Sequence, residues 1–111
     1  MTSATLERRL RLLYDASRVQ FGDLKSSAAC TTMDSGRAVI TLPRGYDDYY
    51  TLQILLHELV HLAMPGQLAA WGTWEEDILV RVAEPNLMHW LVEHPKRHAW
   101  WIKRLAALRD E

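Results

Sequence analysis

Apolar residues recur at helical spacing from the start of the chain. Leu6, Leu10 and Leu13 form one stripe, Leu12, Ala16 and Val19 flank it, and Arg8, Arg9, Arg11 and Arg18 mostly fall elsewhere. This pattern predicts an amphipathic helix over 4–20. Phe21-Gly22-Asp23 breaks it. Small and β-branched residues follow, and they predict two short strands, 29–33 and 37–42, joined by a turn at Asp34-Ser35-Gly36. Pro43 closes the second strand and suits an edge position, because proline cannot donate to a ladder. The segment 48–63 is the most apolar. Leu52, Ile54, Leu55, Leu56, Leu59, Val60, Leu62 and Ala63 leave it almost no polar face, which predicts a buried central helix capped by Asp47 or Asp48 and stopped by Met64-Pro65-Gly66. Beyond a loop containing Gly72, a helix over 73–83 is expected, interrupted by Pro85, with further helices over 86–93 and 95–109. The order helix, small sheet, helices gives an α+β class.

Composition narrows the setting. With 111 residues, the chain suits a single domain over 1–111. One cysteine, Cys30, excludes an intrachain disulfide framework, and this residue reads as a small buried strand position. No apolar stretch approaches the roughly 20 residues of a membrane span. Arginines among the leucines of residues 1–13 do not make a signal peptide. A cytoplasmic protein is therefore expected. The 13 basic and 14 acidic side chains give no overall pull towards nucleic acid.

The central helix holds candidate chemistry. His57-Glu58-Leu59-Val60-His61 is an H-E-x-x-H pattern. Residues four apart share a helix face, so both imidazoles can grip one metal ion. Glu58 sits about 100° further round, within reach of a bound water. Two nitrogen ligands suit Zn2+, whose catalytic sites take a third protein ligand and leave one position for water. Zinc lowers the pKa of that water towards about 7, and a nearby carboxylate then takes its proton as it attacks a carbonyl. Buried histidines and a carboxylate with nothing to bind would leave polar groups unsatisfied at high cost.

The third ligand sets the subclass. Position 64 is methionine and position 67 glutamine, which excludes the longer H-E-x-x-H-x-x-G-x-x-H pattern. Thr73-Trp74-Glu75-Glu76-Asp77 opens the next helix, and an antiparallel return would bring a carboxylate to the metal. Taking Ile78, Leu79, Val82 and Ala83 as the apolar face, with Asp77, Arg81 and Glu84 opposite, places Glu75 near its centre. Thr73 and Glu76 also make a capping box. Glu75 is thus the expected ligand and Glu76 the alternative.

These residues resemble a gluzincin, a zinc metallopeptidase with two histidines and a glutamate. The stretch 54–84 is similar to small phage and prophage metallopeptidase-like proteins and, more distantly, to the ImmA/IrrE group of regulators that cleave repressors. The resemblance implies a minimal zincin fold and hydrolysis of a protein or peptide substrate, which could be a specific regulatory protein. It also implies that strand 37–42 forms the sheet edge beside the active helix, where a substrate strand could add.

Other residues have weaker cases. Tyr46, Tyr49 and Tyr50 precede the active helix and could donate to an oxyanion, though packing at the helix start accounts for them. His89, His94 and His98 read as surface histidines. Lys96, Arg97, Lys103, Arg104 and Arg109 with nearby tryptophans fit a structural helix better than a nucleic-acid contact. The alternative to an enzyme is a non-catalytic, zinc-stabilised protein-binding module or phage regulator.

Overall fold

Thr2 opens the first helix: its Oγ1 accepts the Thr5 N–H at 3.2 Å, supplying one of the bonds a helix start lacks. The computed structural model describes residues 2–24, 29–63 and 74–111, and for Cys30 and residues 74–81 the backbone alone. The first helix, α1, runs Ser3–Ala16 rather than to residue 20. At Ser17 the backbone turns extended, the side-chain Oγ donates to Leu13 O at 2.6 Å, and the chain enters strand β1, Arg18–Gly22. Arg18-Val19-Gln20-Phe21 alternates polar and apolar, so it also fits a strand, and parallel pairing with a later strand decides the matter.

The hairpin expected from the sequence is present. Strand β2, Cys30–Asp34, pairs antiparallel with β3, Arg37–Pro43, so that Asp34 faces Arg37. Ser35 and Gly36, at φ 53° and 82°, make the two-residue turn, in the left-handed conformations that match strand twist. Strand order is β1-β3-β2. The strand expected at the edge, β3, is therefore central, because the unanticipated β1 covers its other side. Pro43 is tolerated there as the strand's last residue. Among the described residues, β2 is the edge on the hairpin side.

Helix α2, Asp48–Ala63, matches its expected span, and Asp47 caps it by accepting the Tyr50 N–H at 2.8 Å. Its Leu52, Leu55, Leu56 and Leu59 are fully buried, and the helix packs against α1, β3 and both later helices. The expected stop at residues 64–66 and the loop at Gly72 lie outside the described residues. Helix α3, Trp74–Val92, continues through Pro85 instead of breaking. An interior proline costs about 3 kcal/mol. Buried Leu87, Met88 and Leu91 beyond it each return roughly 1.5–3 kcal/mol. Helix α4, Pro95–Arg109, is as expected, with Trp101 and Leu105 buried. The four helices and three described strands form a small α+β domain around one hydrophobic cluster. Among the described residues no helix is long and apolar enough to cross a membrane.

Candidate metal centre

One turn of α2 separates His57 from His61, and their Nε2 atoms stand 3.2 Å apart. Two nitrogens bound tetrahedrally to one zinc at about 2.0–2.1 Å stand roughly 3.3 Å apart, so the pair fits such an ion. The other nitrogen of His57 is also engaged: Nδ1 donates to Glu84 Oε2 at 2.9 Å. A carboxylate on Nδ1 keeps the proton there and leaves the Nε2 lone pair for a ligand. The donor set is thus chemically suited to zinc.

Glu84 overturns one expectation. The apolar pattern puts it on the face of α3 away from the core, yet its side chain is 13% exposed and bonded to α2. Val82, assigned to the apolar face, is 57% exposed. The inward positions include Leu87, Met88 and Leu91, and Glu84 precedes them by three, four and seven residues. That spacing was the available signal; the assumed break at Pro85 hid it.

Glu58 lies beside the pair. Burial raises its carboxyl above the ordinary glutamate value, and His57, the Thr31 hydroxyl of β2 and His61 pull it partly back. A carboxylate standing beside the two imidazoles is placed to exchange a proton with a water held there. His57, Glu58 and Glu84 line one side of a cavity of about 320 Å³, which Tyr50, Gln53, Ile54 and Ala29 complete. Helical spacing explains the wall: Tyr50, Ile54 and His57 follow one another along one face of α2. Tyr49 and Tyr50 are 54% and 40% exposed, so packing at the helix start does not account for them fully.

Helix α3 carries Glu75 and Glu76 in its first turn, and their side chains lie outside the described residues, as does that of Cys30. Among the described residues no group of three or more His, Cys, Asp or Glu side chains is gathered as a metal site. His89 and His94 are engaged elsewhere: His89 pairs with Glu93 at 2.7 Å, and His94 stacks on Trp90. Compared with protein-family models, curated proteins and solved structures, the chain matches none.

Proposed function

We propose that the protein is a zinc-dependent metallopeptidase with a minimal zincin-like fold. His57 and His61 hold Zn2+ through Nε2, Glu75 supplies the third ligand with Glu76 as the alternative, and Glu58 is the general base. The observation that carries this reading is the histidine pair, its Nε2 atoms 3.2 Å apart and His57 held in place by Glu84. Bound zinc supplies a Lewis acid and a water of lowered pKa. Glu58 accepts a proton from the attacking water and passes it to the leaving amine. Glu84 fixes the ring of His57 and its tautomer. The cavity beside them receives a protein or peptide substrate, and its border at Ala29, next to β2, favours the β2 edge over β3 as the place where a substrate strand adds.

Elemental analysis tests the site. Wild-type protein is expected to hold near-stoichiometric zinc, His57→Ala to lose it, and only one of Glu75→Ala and Glu76→Ala to lose it, which identifies the third ligand. A folded wild type that takes up no added zinc would end the reading.

A separate variant probes Glu84. Removing a carboxylate partner of a metal-bound histidine lowers affinity by about 10–100-fold. Glu84→Ala is therefore expected to give up zinc to a chelator at a correspondingly lower chelator concentration while keeping the helical circular-dichroism signal. Retention equal to wild type would show that the His57–Glu84 bond has no bearing on the metal.

A further inference from the structure

Trp100 sits near the middle of α4, and the four residues three and four positions either side of it are Lys96, Arg97, Lys103 and Arg104. Those spacings gather all four cations on the helix face that Trp100 occupies. Helix α1 adds another. The Arg11 guanidinium lies 4.6 Å and that of Arg104 3.9 Å from the Trp100 ring centroid. By sequence the two helices hold eight of the 13 basic residues and two of the 14 acidic ones, with Arg109 set apart by its pairing with Asp48 of α2. One of those two acids, Glu7, is buried beneath the face and offsets a single charge.

Folding accounts for Arg11 and Arg97, which pair with buried Glu7, but not for the lysines beside them. Lys96 and Arg97 occupy the first turn of α4, which has no acidic residue, at the helix end where the backbone dipole disfavours cations. Lys96 and Lys103 are exposed. Crowded cations around a part-exposed tryptophan are relieved by an anionic partner.

We propose that this face of α4 and α1 binds an acidic segment of a partner protein. Three observations select that occupant. Outside the two helices the sequence has 12 acidic against five basic residues, so a long polyanion such as duplex DNA would meet repulsion beyond the face. Guanidinium groups already lie over the Trp100 ring, so a nucleic-acid base would have to displace one before stacking. A second copy docked by two-fold symmetry on this face would set cations against cations. A short run of Asp or Glu side chains instead meets fixed arginine forks with their matching geometry. The inference does not depend on the metallopeptidase reading, and its test uses neither metal nor turnover.

The test is fluorescence anisotropy with the full chain and a labelled peptide of alternating Glu and Ser, beside a Lys–Ser peptide, single-stranded DNA and duplex DNA of matched length. The acidic peptide is expected to bind saturably and more tightly than either DNA, and to weaken as salt screens the contact. Lys96→Gln/Lys103→Gln, both at exposed positions, is expected to weaken it about tenfold. Arg18→Gln/Arg44→Gln, two exposed arginines off this face, is expected to leave it unchanged. Absence of saturable peptide binding, equal loss in the two double variants, or tighter binding of either DNA would each overturn the proposal.

Discussion

Glu58→Gln is expected to keep its zinc and to lose peptide-bond hydrolysis by a factor of about 10²–10⁴, the usual contribution of a positioned proton-transfer group. The amide is close in size to the carboxylate, so the cavity and the buried face of α2 should survive the change. His57 and His61 retain their nitrogens, and metal content should match wild type. What the glutamine cannot do is accept a proton. The measurement pairs elemental analysis with mass spectrometry of a mixed peptide substrate, comparing rates for wild type and variant at equal zinc occupancy. A variant that keeps zinc and cleaves at the wild-type rate would remove Glu58 from the chemistry. Zinc-loaded wild type that cleaves no peptide, with Glu58→Gln indistinguishable from it in partner binding, would favour the non-catalytic module. Burial holds this carboxyl above the ordinary glutamate value, a desolvation cost that a site needing only metal ligands would not require.

Local patterns carried much of the architecture. The span 48–63 was legible because an almost wholly apolar run with a capping aspartate has one stable solution, a central helix. The hairpin is legible from Asp34-Ser35-Gly36 between small and β-branched residues. What escaped depended on partners distant in sequence. Residues 18–20 fit either the end of the first helix or a strand from their own pattern, and pairing with β3, some twenty positions later, decides for the strand. That pairing also moved β3 from the edge to the centre. At the site, the spacing of His57 and His61 announces the pair, whereas Glu84 is concealed because Pro85 reads locally as a helix boundary. The outward position of Val82 bears on the third ligand. The preference for Glu75 over Glu76 rests in part on an apolar face that includes Val82, which is exposed, and in part on the capping box that occupies Glu76; the metal analysis of the two alanine variants decides between them.

Glu7→Ala is expected to destabilise the fold by about 3–5 kcal/mol, the usual effect of removing one partner from a buried charged cluster. Nothing in the local sequence marks this residue as special. It lies on α1 four positions before Arg11 and looks like half of a surface ion pair, which would contribute well under 1 kcal/mol. Yet its side chain is fully buried. Arg11 reaches one carboxylate oxygen at 2.6 Å, Trp101 Nε1 donates to the same oxygen at 3.1 Å, and Arg97 approaches the other at 3.1 Å. Trp101 is itself fully buried, so Glu7 ties α1 to α4 from inside the core. Alanine would leave an indole N–H without its acceptor and two guanidinium groups without their counter-charge. Glutamine keeps an acceptor for Trp101 but loses the charge, so Glu7→Gln should fall between alanine and wild type. Urea unfolding followed by tryptophan fluorescence measures all three, and an unchanged slope would assign the shift in midpoint to stability alone. A Glu7→Ala midpoint close to wild type would mean that the cluster's desolvation cancels its attraction, as can happen when buried ions are replaced by apolar groups. Against a total stability of about 5–15 kcal/mol for a domain, the expected loss is a large share of what holds the fold together. The same substitution would also release Arg11 and Arg97 from their internal carboxylate, so wherever the variant remains folded it should hold the acidic peptide more tightly.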